Sequence, residues 1–259
     1  MIKHKLRQAA LQSINNSPLE HIARKCYGFF SHKKGAIYDK QTVRLMKRIL
    51  REDSNAIDVG CYRGEILREI IRLSPKGTHF AFEPIPENFS YLKKTFKSAE
   101  IYNMALSDRS GETTFHHVIG RPARSGLKKV DYPDKYEVVK EITVAMESLD
   151  NVIGADVPID FIKIDVEGAE LSVLRGSKQV ICKYKPVVVF EFGHETAKQY
   201  DTTPEMIYDL LHDEFGLQVS LLERLFNKQQ SLSKKEFLDQ CLINSEFFFV
   251  AYPDNLQLN

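Results

Sequence analysis

Net charge of either sign is missing: 36 Lys and Arg stand against 35 Asp and Glu, leaving +1. No global field draws such a chain to nucleic acid or to an acidic membrane surface. Cysteine is sparse too. Cys26, Cys61, Cys182 and Cys241 are widely spaced, form no Cys-x-x-Cys pair and follow no secretory leader. This pattern points to a reduced, cytoplasmic setting rather than a disulfide scaffold, each thiol reading as a small buried apolar residue. Only Cys61, inside a glycine loop, invites another role. Apolar runs of about 18 residues do not occur, so no segment is expected to span a bilayer. Internal repeats and low-complexity tracts are absent as well. What is present, 43% hydrophobic residues in a chain of 259, suffices to bury a full core as one domain, or as one domain with a helical appendage.

The expected division is an N-terminal helical segment over 1–50, packed on the core, and a main domain over 51–259. The basic start with Lys3, Lys5 and Arg7 reads as a solvated helical cap rather than a lipid anchor, three charges being few. Asp39 is placed to cap a following helix whose Val43, Met46, Ile49 and Leu50 form one apolar stripe that should pack on a sheet. From 55 onward strand and helix alternate. "NAIDVGCYRG" (55–64) is a short apolar strand running into a glycine loop, and Ile66, Leu67, Ile70 and Ile71 follow at helical spacing. "THFAFEP" (78–84), "EIYNMALSD" (100–108), "IDFIKIDVEGAE" (159–170) and "PVVVFEFGHE" (186–195) read as buried parallel strands, bounded by Pro, Gly or Asp. "GETTFHHV" reads as an extra edge strand, 121–137 as a long polar loop, and Pro204 to Phe215 as a helix. "LQVSLLE" and "SEFFFVAYP" close the chain as two strands able to pair antiparallel. The expectation is an α/β, Rossmann-like, doubly wound sheet of seven strands, mostly parallel, with an antiparallel edge and helices on both faces.

The first loop rejects the commoner nucleotide signatures. A dinucleotide fingerprint beginning at Gly60 needs glycine at 62 and 65, which hold Tyr62 and Glu65, and a P-loop needs Gly-Lys-Ser/Thr, which is absent. What survives is Asp58 before the loop, Gly60 and Gly64 in it, and Glu83 at the end of the next strand. A carboxylate there suits a ribose diol, while Asp58 and the amides around Gly60 suit an amino-acid end. Together they describe S-adenosylmethionine, which has a ribose and an amino acid but no phosphate. Each residue has a plainer alternative: Asp58 as a turn cap, the two glycines as hinges of a tight bend.

From about Tyr38 to Pro253 the chain resembles the FkbM-type S-adenosylmethionine-dependent methyltransferases, of the class I fold, which mostly methylate hydroxyls of sugars, glycans and polyketides. The resemblance rests on "IDVGCYRG", "FEP" (82–84), "ALSDRSG" (105–111), "SGLKK" (125–129), "SLD" (148–150), "FIKIDVEGAELSVLRG" (161–176) and "VVFEFG" (188–193), in that order. It implies cofactor contacts from Asp58, Gly60, Gly64 and Glu83, with Met104 and Ala105 flanking the adenine; Met104 has plain core as its alternative. The family often has Asn where this chain has Tyr62. That departure prompts the rival function, a catalytically degenerate methyltransferase fold serving as a binding or scaffold protein. A nucleic-acid methyltransferase is disfavoured by the near-neutral charge and by "DVEG" in place of an Asn/Asp-Pro-Pro-aromatic motif.

With the usual strand order 3-2-1-4-5-7-6, the first and fourth strands are neighbours whose carboxyl ends share a crevice. Asp165 and Glu167 then lie beside Glu191 and His194 from the fifth strand. Methyl transfer to an alcohol needs alignment and a base. His194 is the expected base, with Asp165 and Glu167 binding acceptor hydroxyls or orienting the ring. The plainer alternative has Glu167 as a first-turn helix acid and His194 as a loop residue. Mg²⁺ held by Asp165, Glu167 and Glu191 is a rival, not favoured because no clustered Asp/Asn loop accompanies them. His116 and His117 should point to opposite faces of their strand, which argues against a shared metal. Arg121, Arg124, Lys128 and Lys129 make the long loop either a lid over a small-molecule or saccharide acceptor or a solvated surface loop.

Overall fold

Buried tetrads, apolar but for Asp58, His79 and Lys163, build the centre of the molecule. Strands β1 (Ala56–Val59), β2 (His79–Phe82) and β7 (Phe161–Ile164) are buried at every position. Strands covered on both faces read as solid hydrophobic runs, and the β-branched and aromatic residues here suit that setting. With β3 (Ala99–Tyr102), β8 (Val187–Glu191), β9 (Gln218–Ser220) and β10 (Phe248–Tyr252) they form one seven-stranded sheet in the order β3-β2-β1-β7-β8-β10-β9. In chain order within the sheet this is 3-2-1-4-5-7-6, as expected. Only β10 runs antiparallel, pairing with β8 on one side and β9 on the other. The structure, a computed structural model, describes residues 35–120, 124–129, 138–154, 156–243 and 246–258. Lys3, Lys5, Arg7, Cys26 and Arg121 lie outside them.

Two compact units divide the chain at residues 42 and 43. Residues 35–42 are the described part of the first and are helical, so Asp39 lies inside a helix instead of capping one. In the second unit, residues 43–49 are helical, with Leu45 and Met46 fully buried.

The helices that position the site follow the strands. β1 leads into α1 (Glu65–Leu73), β2 into α2 (Pro86–Thr95), and β7 into α3's successor; α3 itself (Leu149–Ile153) precedes β7. After β7 come α4 (Glu170–Arg175) and α5 (Lys178–Tyr184), and after β8 comes α6 (His194–Ala197), continued as a 3₁₀ turn Lys198–Tyr200. The expected helix from Pro204 begins with Thr203 capping the N–H of Met206, but only Pro204–Tyr208 (α7) is α-helical; Asp209–Glu214 widens to a π-helix. "LQVSLLE" pairs as a strand only to Ser220, and α8 (Leu222–Phe226) starts inside it. Next, Ser233 and Glu236 close a capping box on α9 (Lys234–Leu242), whose Phe237 meets Phe249 of β10 edge-on at 4.8 Å. Among the described residues no helix is long and apolar enough to cross a membrane.

A second sheet was not expected. The run 100–108 breaks at Asn103, whose amide donates to the carbonyls of Glu83 and Pro84 at 2.9 and 3.0 Å. Past it, β4 (Met104–Leu106) joins β5 (Gly111–Ile119) and β6 (Val138–Glu147) in the order β4-β6-β5. β5 and β6 pair antiparallel along their lengths. In β6 only Val144 and Met146 are buried. Backbone pairing with β5, more than burial of its own side chains, holds that strand, although "ITVAM" (142–146) carries an apolar, β-branched signal for it.

Candidate functional site

The chain leaves β1 toward β2 on one side of the sheet and leaves β7 toward β8 on the other. The carboxyl ends of β1 and β7 therefore bound the crevice that a doubly wound sheet opens at its switch point. The two exit loops touch. A Cβ on Gly60, whose φ is +73°, would sit 1.9 Å from the carbonyl oxygen of Asp165. Gly64, φ +77°, precedes α1, and a Cβ there would lie 2.5 Å from the Phe96 ring. Packing alone thus demands glycine at both positions, whatever ligand they meet.

Tyr62 also takes a left-handed backbone, φ +47°. For a residue with a Cβ that costs about 1–2 kcal/mol, and Asn is among the residues that tolerate it best. The Asn often found in the resembling family thus suits the backbone here. Tyr62 keeps the contact that the conformation serves: its N–H donates to Glu83 Oε2 at 2.9 Å. On Oε1, Glu83 accepts the N–H of Ile85 at 3.0 Å and the Asn88 amide at 3.4 Å. The carboxylate therefore ties the glycine loop to the start of α2. Burial pushes its pKa up to about 7, against these hydrogen bonds, which lower it.

Asp58 and Lys163 face each other in register across β1 and β7, both inside otherwise apolar strands. Lys163 Nζ lies 3.1 Å from Asp165 Oδ2, 3.8 Å from Asp58 Oδ1 and 3.3 Å from the carbonyl oxygen of Gly60, to which it donates. The two flanking carboxylates hold the ammonium charged despite its burial. Neither Asp58 oxygen has a hydrogen-bond partner. Burial raises the Asp58 pKa to about 6, helped by the Asp165 charge; the Lys163 charge and, less, the Leu67 N–H pull it down. A lone lysine inside the apolar run "FIKI" is the sequence signal of this buried pair.

Beyond Asp165 the loop into α4 turns through Glu167, φ +55°, and Gly168, φ +106°. Glu170 organises it, one carboxylate oxygen accepting the N–H groups of Val166 and Gly168 at 3.3 and 3.1 Å while the other is buried without a partner. Burial lifts its pKa to about 7. Burial first, then the charges of Asp165 and Glu170, lift Glu167 to about 8, with Arg124 opposing. Glu191 is raised by burial and by Asp165 and Glu167, and it shares a hydrogen bond with Asp165. The three carboxylates are thus close enough to act on one another. Among the described residues, however, no group of three His, Cys, Asp or Glu side chains is arranged to hold a metal ion.

His194 opens α6 with its Nδ1 buried and unpartnered. Burial and then Lys198 lower its pKa, while Glu195 and Glu205 act the other way. These groups are not the carboxylates of "DVEG". Met104 and Ala105 sit on β4 of the small sheet, Ala105 clustered with Ile85, Phe115 and Val144, and Met104 half-buried against the main core. The Cys61 thiol is buried, and burial with the Asp58 and Glu83 charges pushes it far from ionising, so it is packing rather than a nucleophile.

A sequence profile of the Methyltransferase FkbM domain matches residues 58–216. The chain is 27% identical over 188 residues to 2-O-methyltransferase NoeI of Sinorhizobium fredii, covering 66% of this chain and 75% of that protein. It is 28% identical over 149 residues to Methyltransferase 1 of Beauveria bassiana, covering 48% and 59%. Among solved structures, the FkbM methyltransferase of Methylobacillus flagellatus KT is similar at 16% identity and a TM-score of 0.48; 78% of this chain overlays 44% of that one. With more than half its length matched by that profile, the chain belongs to the FkbM methyltransferase family.

Proposed function

We propose that this protein transfers a methyl group from S-adenosylmethionine to a hydroxyl of a sugar, glycan or related metabolite. The observation that carries the reading is the pair of buried carboxylates, Asp58 and Glu83, on either side of the glycine loop. Asp58, attended by the Lys163 charge at 3.8 Å and the Leu67 N–H, keeps lone pairs for a second cation, and Glu83 keeps lone pairs for a diol beyond those its three donors use. These residues fit the cofactor's ammonium and ribose. When bound, S-adenosylmethionine supplies an electrophilic methyl on a sulfonium, whose bonding electron pair leaves with the sulfur. The relative NoeI is named a 2-O-methyltransferase, which supports oxygen as the acceptor atom.

The chain's own part is to hold the hydroxyl in line and to remove its proton. His194 takes that proton in this reading, its lowered pKa keeping the ring neutral and receptive near pH 7. Glu167, with a pKa near 8, holds its proton at that pH and donates to an acceptor oxygen. A second base is favoured by one observation: the charges acting on His194 come from Lys198, Glu195 and Glu205, not from the crevice. Asp165, ion-paired to Lys163 and partly open to solvent, is then the base.

Calorimetry with S-adenosylhomocysteine tests the cofactor, and labelled methyl incorporation into a pool of glycosides tests the acceptor. Binding with transfer supports the proposal. A folded protein that binds nothing is the scaffold alternative. In a folded enzyme, His194→Ala lowers turnover about 100-fold or more with cofactor affinity unchanged. Full turnover in His194→Ala together with its loss in Asp165→Asn moves the base to Asp165.

A further inference from the structure

Segment 124–129 is pinned from two sides. On one, His116 of β5 donates its N–H to the carbonyl oxygen of Gly126 at 2.8 Å and accepts the Gly126 N–H at 3.3 Å, while Ser125 Oγ accepts the N–H of Val118 at 2.9 Å. Leu127 packs against the cluster of Ile85, Ala105, Phe115 and Val144. On the other side stands Tyr200, at the end of the turn that continues α6. Its hydroxyl oxygen accepts the N–H of Lys128 at 2.9 Å, the N–H of Leu127 also bears on it, and the Lys128 ammonium lies 5.5 Å from the ring centre. No room is left at the junction. A Cβ on Gly126 would come within 3.2 Å of the Tyr200 hydroxyl and 3.7 Å of Glu167 Cβ, and one on Gly168 within 2.8 Å of the Tyr200 ring.

Three pieces therefore meet at one phenol: the 124–129 segment, the loop carrying Glu167, and the turn that begins with His194. None of the hydrogen bonds that hold Glu83 or the glycine loop passes through it. We propose that Tyr200 is a positioning residue for the methyl acceptor: its hydroxyl clasps segment 124–129 against the Glu167 loop and so fixes the wall on which the acceptor sits. Resting on the function proposed above, this adds the element that sets acceptor binding. Through the same clasp Arg124 is held where its charge opposes the proton on Glu167.

Tyr200→Phe is the test, since it keeps the ring against Gly168 and Lys128 and removes only the acceptor oxygen. Three readouts are taken on the full chain. Amide hydrogen exchange over 124–129 should quicken about tenfold or more, because two backbone donors lose their partner. The Kd for S-adenosylhomocysteine should stay within about twofold of wild type. In labelled-methyl assays with a pool of methyl glycosides, KM for the acceptor should rise about tenfold with a smaller change in kcat. Gly126→Ala, which wedges the segment off an intact Tyr200, should reproduce the rise in KM. Unchanged exchange in Tyr200→Phe overturns the clasp, and faster exchange with an unchanged KM in both variants overturns its role in acceptor binding. If wild type binds S-adenosylhomocysteine but methylates no glycoside, the acceptor class proposed above has failed, and exchange still decides the clasp. If it does not bind S-adenosylhomocysteine at all, the cofactor reading has failed, again without touching the exchange result.

Discussion

The seven-stranded and the three-stranded sheet place charged residues in opposite settings. In the large sheet, Asp58 and Lys163 are buried inside apolar strands and answer each other across the ladder. In the small sheet, Lys140 and Glu141 of β6 are exposed, and the strand depends on its backbone pairing with β5. A charge in the first setting needs its partner; in the second, water suffices. Asp58 and Lys163 are therefore committed to each other, while Lys140 and Glu141 are replaceable.

The sharpest way to break this contrast is to remove a lysine from each sheet. Lys163→Met leaves Asp58 uncompensated in the interior and strips half-buried Asp165 of its ion pair, and should destabilise the protein by about 3–5 kcal/mol, whereas Lys140→Met should change stability by less than about 0.5 kcal/mol. Urea denaturation of both variants measures the difference. Equal effects would mean that the buried pair is no more committed than a surface charge.

Glycines make the next comparison. Gly60→Ala adds to an unfavourable φ a collision with the carbonyl oxygen of Asp165, at 1.9 Å, and should cost about 3 kcal/mol or more. Gly120, at the end of β5, also has a positive φ of +86° but open space around it, so Gly120→Ala should cost only the conformational part, about 1–2 kcal/mol. Thermal melts of the two variants should separate them.

Ionisation sharpens the contrast further, because its sign reverses between the sheets. Asp58, Glu83, Glu167 and Glu170 all have raised pKa values, from about 6 to about 8. A raised folded pKa contributes stability that is complete below the unfolded value and lost as pH climbs through the folded one. Stability should therefore fall from about pH 5 to pH 8. Glu170→Gln should flatten that slope by roughly 2–3 kcal/mol, given its shift from 4.5 to about 7. Glu147 of β6 has a lowered pKa, held down by Ser110 and then by Ser148 and Asn151, so its contribution is lost instead as pH falls through the folded value. Denaturation at several pH values, with Glu147→Gln as the opposite control, checks both signs.

The smallest expected effect concerns the proposed cofactor. Glu83→Ala should weaken S-adenosylhomocysteine binding by about 1–3 kcal/mol through loss of a charged acceptor and of the Tyr62 tether. Calorimetry on a folded variant with unchanged affinity would take Glu83 out of the site.

Much of this was legible in the sequence, for a reason visible in particular residues. "AIDV", "HFAF" and "FIKI" are apolar at three positions of four because both faces of their strands are covered, and such runs bounded by Gly, Pro or Asp fix strand positions without any partner being known. The order of those strands, and with it the meeting of the Asp58, Glu83 and Asp165 ends, came instead from the usual arrangement of this architecture. β6 carries its own apolar, β-branched signal in "ITVAM" (142–146), but its pairing with β5, about thirty residues earlier, is set only by the fold. The run from 100 to 108 escaped in part, its break at Asn103 being set by two carbonyls about twenty residues upstream.

The sequence by itself determined the strands, the glycine loop and the residue types carried at the strand ends, because periodicity and glycine placement are local properties of the chain. Only the tertiary structure decided how those residues are used. It set Lys163 opposite Asp58, made Glu83 the tether of the Tyr62 loop, and brought Tyr200 to a segment some seventy residues earlier. It also gave His194 a set of charged neighbours different from the crevice carboxylates. Partners so far apart in sequence meet only when the sheets and loops pack, so no local pattern encodes them, and the pKa values and contacts that depend on them belong to the fold.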